Sequence, residues 1–400
     1  KESSAVSGVA PVVEEAEEEE EGHSIAVLPF ADMSPEKDQD YFCEGIAEEL
    51  INGLGRIQDL RVASRSAAFQ YKGSAVDIQE VGSSLNVKTI LEGSVRKAGN
   101  QLRITAQLIN IDDGYRLWSD RFDRTMEDIF AIQDEIAESI VKALEVKLSP
   151  KERRAIQNVA TRDVEAYDYY LRGRKFFYEF DRKNWEFARQ MYERAIELDE
   201  HYALAFAGIA DSCSFLFMYA GNAGADRDRA EEASRKALEL DPELAESHAS
   251  RGLVLSLSEE YERAGEHFDR AIELNSKLFE AYYFYARACA SEGKLDKAAE
   301  LYEKAIEVRP EDYQAQLLLP QILRGLGREE DAVAASMRGI EAARRHLELN
   351  PNDARALSLG AGSLVEIGEK EEGLEWAVRA VTIAPHETAL MYNVACLYSM

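Results

Sequence analysis

The chain has 400 residues, of which 46% are hydrophobic, and its 75 Asp and Glu outnumber its 47 Lys and Arg. This length exceeds what a single core usually supports, so the sequence predicts two or more domains. The net charge of −28 argues against nucleic-acid binding and against contact with an anionic membrane, because both need a basic surface. No apolar run approaches the roughly 18 residues that a membrane-spanning helix requires.

The four cysteines are far apart and form no CxxC pair: Cys43, Cys213, Cys289 and Cys396. Each lies in an apolar helical pattern, so we expect small core residues rather than disulfides. This slightly favours the cytoplasm, and the periplasm stays open if a membrane span precedes residue 1. Because the chain begins at Lys1 rather than Met, we expect it to be a piece of a longer protein.

The first segment, residues 1–23, is rich in acidic residues and ends in a run of five glutamates, Glu17–Glu21. Like charges at this density repel one another and leave little apolar surface to bury. The sequence therefore predicts a disordered acidic linker.

Residues 24–148 read as a compact α/β unit that begins with a buried strand, Ser24–Phe30, because seven mostly apolar residues stand together there. An amphipathic helix follows, with apolar residues at every fourth position: Phe42, Ile46, Leu50 and Leu54. A second strand is expected at Leu60–Ser64, and a second helix begins after Asp77.

The second half of this unit predicts three consecutive strands and a closing helix. Val87–Lys97 and Gln101–Ile111 alternate apolar and polar residues around a turn, which is typical of a β-hairpin, and Tyr115–Phe122 supplies the third strand. The closing helix carries Ile132, Ile136, Ile140 and Leu144. Since helices separate the early strands and a meander follows, we predict a mixed sheet.

Five strings of this unit carry a family resemblance: SIAVLPF, YFCEGIAEELINGL, LRVASRSAAFQYKG, LEGSVRKAGNQLRITAQLI and GYRLWSDRFDR. Together they resemble the amino-terminal domain related to the translocation protein TolB. The resemblance implies a bacterial regulator in which such a domain precedes helical repeats and follows a kinase, nucleotide cyclase or winged-helix effector. None of those effectors is recognisable in these 400 residues.

A connector, 149–162, contains Pro150 and mixed polarity, so we expect little shared core across it. Beyond it, small residues recur at intervals of 34 at three places: Ala237, Ala271 and Ala305. Aromatic residues at Phe268 and Tyr302 keep the same interval. A 34-residue beat of helix, turn and helix is the signature that the tetratricopeptide (TPR) repeat shows. We predict an all-α TPR superhelix over 163–400, with six repeats and a truncated seventh.

A search for catalytic chemistry finds no phosphate-binding loop, no nucleophile elbow and no metal-ligand spacing, so we predict no enzyme activity, cofactor or metal. The acidic pair Glu48 and Glu49 is interpreted as a solvated helix face, and His248 and His267 as structural residues that could meet within one repeat.

The function predicted from these features is a non-catalytic interaction and regulatory module. In a TPR superhelix the first helix of each repeat lines the groove, so a protein or peptide partner is expected there, and homo-oligomerisation is left open. The candidate binding residues are Tyr167, Tyr170, Arg174, Phe177, Tyr178, Asp211, Phe215, Leu253, Leu257, Tyr283 and Arg287.

Three alternatives stay open. The tyrosines of the first repeat could instead pack against the closing helix of the α/β unit. The protein could serve the cell envelope as TolB does, which would require export. An enzyme with its pocket in the α/β unit is the third, and a deep pocket with converging polar groups would favour it.

Overall fold

A computed structural model describes residues 23–72, 77–149, 160–178, 181–220, 224–385 and 388–397. The predicted acidic linker lies outside these residues except for its last position, and so does most of the predicted connector.

The described residues of the N-terminal domain form one six-stranded sheet in the order β3-β1-β4-β5-β6, with β2 paired to β4. The strands are β1 His23–Val27, β2 Ala31–Asp32, β3 Leu60–Val62, β4 Thr89–Ala98, β5 Gln101–Asn110 and β6 Arg116–Thr125. Strand β1 runs parallel to β3 and β4, whereas β4, β5 and β6 are antiparallel. The predicted mixed sheet is confirmed.

The helices of this domain cover both faces of the sheet. They are α1 Asp40–Gly55, α2 Arg65–Phe69, α3 Ile78–Leu85 and, after a 3-10 turn at Met126–Asp128, α4 Ile129–Ala143. Helices α1 and α4 share one apolar core with the sheet, and α3 packs on the opposite face. The predicted start of α3 is confirmed, because the Asp77 side chain accepts a hydrogen bond from the Gln79 amide at 3.0 Å.

Two short elements escaped the sequence patterns. Helix α2 begins directly after the predicted strand Leu60–Ser64, where the sequence predicted no element, and β2 adds two residues beside β4. Neither is long enough to show a period, so only tertiary contacts select them. Helix α2 is nonetheless capped locally, since Ser64 Oγ accepts a hydrogen bond from the Ala67 amide at 3.3 Å.

The rest of the described chain is helical, in six antiparallel pairs and one further helix. The helices are α5 Val164–Tyr178, α6 Arg182–Leu198, α7 Ala203–Ala220, α8 Ala225–Leu240, α9 Ala245–Leu257, α10 Tyr261–Leu274, α11 Phe279–Glu292, α12 Leu295–Val308, α13 Tyr313–Gly325, α14 Glu329–Leu349, α15 Ala354–Glu366, α16 Lys370–Ile383 and α17 Thr388–Leu397. The predicted fold class, a mixed α+β domain followed by an all-α TPR region, is confirmed.

Small residues of one helix face aromatic rings of another, which explains the periodic pattern. A Cβ atom added to Gly252 on α9 would lie 2.7 Å from the Phe268 ring on α10. The Tyr192 ring lies in the same way between Gly173 of the first repeat and Gly208 of the second. The close crossings are therefore possible only because these positions carry no side chain.

The N-terminal domain and the first two repeats share one continuous apolar core, which corrects the expectation of little shared core. Residues of α1 and α4 belong to the same buried cluster as Tyr170 and Leu171 on α5. Helix α1 comes so close to α5 that a Cβ on Gly45 would lie 2.4 Å from Leu171 Cδ1. The local sequence of the connector carries no information about this contact, which depends on side chains far from it.

The first prediction concerns the helix crossings of the repeats. Ala271 is fully buried between Ala249 and Ala281, so Ala271→Leu should overpack this crossing and lower the free energy of unfolding by about 1–3 kcal/mol. Glu273→Leu, at an exposed position two residues further on, is the control and should change it little. Chemical denaturation of both variants measures the difference, and equal effects would contradict the proposed repeat register.

The second prediction compares the same substitution at two glycines of one helix. Gly45→Ala should destabilise the chain, because its Cβ would meet Leu171 of the first repeat. Gly53→Ala should stabilise it by roughly 0.5–1 kcal/mol, since helix α1 has open space there and alanine favours the helix. Thermal unfolding of both variants tests the docking, which would be refuted if Gly45→Ala behaved like Gly53→Ala.

Candidate functional site

The first helices of the repeats face the N-terminal domain. Some of the candidate binding residues are buried in that contact, and others line the hollows beside it. Tyr167 and Tyr170 on α5 are buried, with exposed fractions of 3% and 2%. Gln133 on α4 donates a hydrogen bond to the Tyr167 hydroxyl at 2.8 Å, and the Phe130 ring lies against the Tyr167 ring. For Tyr167 these contacts agree with the alternative in which the tyrosines of the first repeat pack against the closing helix of the α/β unit.

Tyr170 takes part in a cluster of buried tyrosines rather than in an open surface. Its ring centroid lies 5.8 Å from that of Tyr192 and 5.1 Å from that of Tyr202. Its hydroxyl accepts a hydrogen bond from Arg174 Nη1 at 3.0 Å. Folding thus already uses most of this side chain, and little of it is left for a partner to contact.

Glu48 on α1 joins the two domains. Only 5% of this residue is exposed, and its carboxylate pairs with Arg174 of the first repeat and, at 3.3 Å, with Arg65 Nε. The Tyr178 hydroxyl donates to Glu48 Oε1 at 3.2 Å. The Arg65 guanidinium in turn lies 4.6 Å from the centre of the Tyr178 ring.

The electrostatics of this contact follow from burial and from the two arginines. Burial alone would raise the pKa of the Glu48 carboxyl, but Arg174 and Arg65 outweigh that effect and hold the pKa below its usual range. Desolvation raises the pKa of the neighbouring Glu49 to about 7. The interpretation of both residues as a solvated face is wrong for Glu48, because α5 covers that side of α1.

Further hydrogen bonds tie the N-terminal domain to distant repeats. Lys277, in the turn between α10 and α11, donates to the carbonyl oxygens of Ile57 at 3.3 Å and Leu60 at 3.1 Å. Ser64 donates to Glu311, in the turn between α12 and α13. The domain therefore extends across the faces of the first four repeats.

Two hollows lie between the domain and the repeats. The first, which we call the inner cavity, has a volume of about 390 Å³ and lies between α1 and the helices α5, α7 and α9. The second, the wide groove, measures about 940 Å³ and lies between segment 61–72 and the repeats from α5 to α14. Both hollows are lined by segment 61–65, by Phe177 and Tyr178, and by Arg309.

Only some of the remaining candidate residues line these hollows. Phe177, Tyr178, Phe215 and Tyr283 line the wide groove, and Asp211 lines the inner cavity with Arg174. Leu253 is buried in the apolar core shared by the middle repeats, and Leu257 packs against that core. Arg287 lies over the rings of Tyr219 and Tyr283, at 5.7 Å from each centre.

Sequence reasoning missed Tyr219 and Arg355, which pack around Arg287 and Tyr283. The Arg355 guanidinium lies 5.1 Å from the centre of the Tyr219 ring, and its Nε donates to Gln314 at 2.9 Å. Gln314 lies 34 residues after Glu280, which itself lies 34 after Glu246. This column of equivalent positions would have pointed to the groove, had it been followed through the longer fifth repeat.

The two histidines that the sequence singled out do meet. Their Nδ1 atoms are 3.1 Å apart, and His248 Nε2 lies 3.0 Å from the carbonyl oxygen of Pro242. A neutral His248 donates to that carbonyl and accepts from His267 through Nδ1. Over the part of the chain that is described, no group of three or more potential metal ligands occurs, and Cys43, Cys213 and Cys289 are buried free thiols.

Comparisons with known proteins match two separate parts of the chain. Residues 21–139 match the family described as the second domain of HilA/YgeH-like transcriptional regulators, and residues 279–322 match the tetratricopeptide repeat family. The repeat region is therefore a TPR module. These matches do not show the TolB resemblance.

A curated relative is a putative adenylate cyclase 3 of Rhizobium meliloti (strain 1021), which is 39% identical over 236 residues. The match covers 58% of this chain and 40% of the relative, so the chain spans about two fifths of that protein. The adenylate cyclase name belongs to the relative as a whole.

Solved structures of repeat proteins are also similar. MamA is 23% identical with a TM-score of 0.34, covering 44% of this chain and 96% of its own. PilW, described as a type IV pilus biogenesis factor, is 16% identical with a TM-score of 0.38, covering 57% of this chain and 97% of its own.

Within the described residues, no helix combines the length and the apolar character needed to cross a membrane.

The third prediction concerns pH. Burial, together with His248 and nearby arginines, lowers the pKa of His267 to about 4, against roughly 6.5 when unfolded. The unfolded chain therefore binds a proton first, so this pair stabilises the fold above pH of about 6.5, and the contribution is lost as pH falls toward 4.

We expect this loss to be about 1 kcal/mol after allowance for the partial exposure of both rings. The variant His267→Gln cannot ionise, so the stability difference between wild type and variant should shrink as the pH is lowered. Urea titrations across this range measure it. A difference that stays constant would show that the histidine pair does not respond to pH.

Proposed function

We propose that this chain is a non-catalytic interaction and regulatory module that holds a segment of a partner protein in the wide groove. The observation that carries the proposal is the lining of that groove. Aromatic side chains from three repeats line it: Phe177, Phe215, Phe279, Tyr283 and Phe284. Phe177 is half-buried, and the other four show the groove only an edge, with exposed fractions of 2–6%. Aromatic anchors in a concave site are typical of peptide recognition, because they bury large areas at little cost in conformational entropy.

Charge supports one class of partner. Nη1 of Arg287 is shielded from solvent and has no acceptor among the described residues. Burial lowers the pKa of this guanidinium, but the neighbouring tyrosines outweigh that effect and the net shift is upward. Arg287 is not itself part of the groove lining, but its guanidinium lies over the ring of Tyr283, which is. A partner segment that packs an apolar side chain against the aromatic wall and brings a carboxylate beside Tyr283 to Arg287 would satisfy both features.

The N-terminal domain forms the opposite wall, so a partner segment would contact both domains. Segment 61–72 of that domain lines the groove along with the repeats. Such a partner would bind only when the N-terminal domain is docked on the repeats, and not to the repeats alone. This geometry suits a regulatory role, in which the state of the N-terminal domain decides whether the groove is complete.

The regulatory setting is supported by the matches to a transcriptional regulator domain and to a putative adenylate cyclase. We infer that the chain acts beside an effector domain in a longer protein, and that the TolB-like character of its N-terminal domain serves interaction. A cell-envelope role is a second candidate, and export of the protein would favour it. Homo-oligomerisation through either domain is compatible with both.

The fourth prediction tests the groove. Selection from a random peptide library on the purified chain should enrich segments with apolar anchors and an acidic residue. Arg287→Gln should then weaken binding of an enriched peptide by about tenfold, since it removes a charge-assisted contact. Arg263→Gln, an exposed arginine on α10, is the matched control and should bind as wild type.

Tyr170→Ala and Tyr283→Ala are less informative about binding, because both side chains are buried and truncation would also lower the melting temperature. Binding measured by fluorescence anisotropy, with melting temperature followed in parallel, separates the two effects. An enriched peptide that bound Arg287→Gln as tightly as wild type would refute the groove as the binding site.

A further inference from the structure

The inner cavity has a composition that the interaction role does not account for. On the domain side it is lined by Ile51, Asn52 and Gly55 of α1, and on the repeat side by Ala207 and Gly208 of α7. The small side chains leave the space open between helices that otherwise pack closely. Its volume of about 390 Å³ falls in the range of roughly 300–1,000 Å³ that small-molecule sites occupy.

The basic residues that line the cavity are all engaged by the protein itself. They are Arg61, Arg65, Arg174, Lys277 and Arg309. Glu48 pairs with both Arg65 and Arg174. Arg309 lies 3.2 Å from Glu280. Arg61 and Lys277 donate to backbone carbonyl oxygens, of Asn86 in the first case and of Ile57 and Leu60 in the second.

Two acidic residues of the cavity are not matched in this way. Glu48 and Glu280 have the arginine partners just described, and Glu307 pairs with Lys304 at 2.7 Å. In contrast, Asp211 Oδ1 and Glu246 Oε2 are shielded from solvent and have no hydrogen-bond donor among the described residues. They lie on the adjacent first helices α7 and α9, and both line the inner cavity.

A carboxylate oxygen without a donor in such a place is costly, because it has lost water without gaining a hydrogen bond. Burial raises the pKa of Asp211 to about 7, with Glu280 and Glu246 adding to the rise and Ser250 and Arg174 opposing it. The side chain therefore becomes charged only near neutral pH, and a cation in the cavity would favour the charged form.

We propose that the inner cavity binds a small organic cation, a primary amine with an apolar or aromatic tail, whose ammonium group donates hydrogen bonds to Asp211 and Glu246. The tail would lie against Phe177 and Tyr178, which also line the cavity and are partly exposed and which suit an apolar or cationic group. The inner cavity adjoins the wide groove and shares part of its lining, but Asp211 and Glu246 line the inner cavity alone. The proposed amine site does not depend on the proposed function.

An amine fits better than a metal ion. Calcium and magnesium take about six or more oxygen ligands, whereas this cavity offers two carboxylate oxygens without a donor and aromatic walls. An ammonium group needs only a few acceptors on one side, and its tail gains from burial against the aromatic walls. The shape and chemistry of the cavity therefore select an organic ligand.

Occupation would couple the two domains, because α1 forms one wall of the cavity and the repeats form the other. A ligand that binds only the docked arrangement stabilises it by mass action. The amine would thus act as a signal that strengthens the contact between the N-terminal domain and the first repeats.

The fifth prediction tests this site with the complete chain and three probes: 2-phenylethylamine, n-butylamine, and 2-phenylethanol as the uncharged match. At about pH 8 at least one of the two amines should raise the melting temperature, and 2-phenylethanol should not. The amine effect should be smaller at about pH 6, where Asp211 is more often protonated and binding must displace that proton. Differential scanning fluorimetry and isothermal titration calorimetry measure both effects.

The double variant Asp211→Asn with Glu246→Gln keeps the shape of the cavity and removes its charge. It should lose the amine-induced shift while melting at the wild-type temperature or above. Glu239→Gln with Glu273→Gln, both exposed, is the matched control and should keep the shift. The proposal is overturned if neither amine raises the melting temperature, or if the Asp211 and Glu246 double variant responds as wild type.

Discussion

The buried pair between Glu48 and Arg174 is the interaction on which the arrangement of the two domains depends. A carboxylate inside an apolar interface is tolerated only when a cation and hydrogen bonds compensate it, and here Arg174, Arg65 and Tyr178 do so. Any shift of α1 along α5 would separate these charges. The pair therefore specifies one register of docking, while the apolar contacts around Gly45 and Leu171 supply adhesion.

Much of the fold was predictable because its determinants are local or periodic. The repeats follow from small residues at an interval of 34, and their crossings require those residues whatever else the chain does. The hairpin of β4 and β5 follows from alternation around a glycine turn, and Gly99 indeed adopts a positive φ of 59°. Patterns of this kind report on neighbours in sequence, which is why they can be interpreted without a structure.

The candidate site was less predictable because its members are brought together by contacts across more than 100 residues. The residues next to Glu48 in sequence do not indicate that Arg174 covers it. The amphipathic pattern of α1 therefore suggested that Glu48 lies on a solvated face. In the structure α1 is buried on two sides, by the sheet and by α5. Only a few signals hinted at this, namely a glycine at position 45 and a carboxylate within an otherwise apolar stretch.

The reach of the N-terminal domain across the repeats has a mechanical consequence. A superhelix of stacked hairpins behaves like a spring, because each repeat contacts only its neighbours and small rotations add up along the stack. Here Arg174 in the first repeat, Lys277 before the fourth and Glu311 before the fifth are all fastened to one rigid sheet domain. The pitch of the superhelix is therefore fixed over the first four repeats, and only the repeats that follow α13 can stretch elastically.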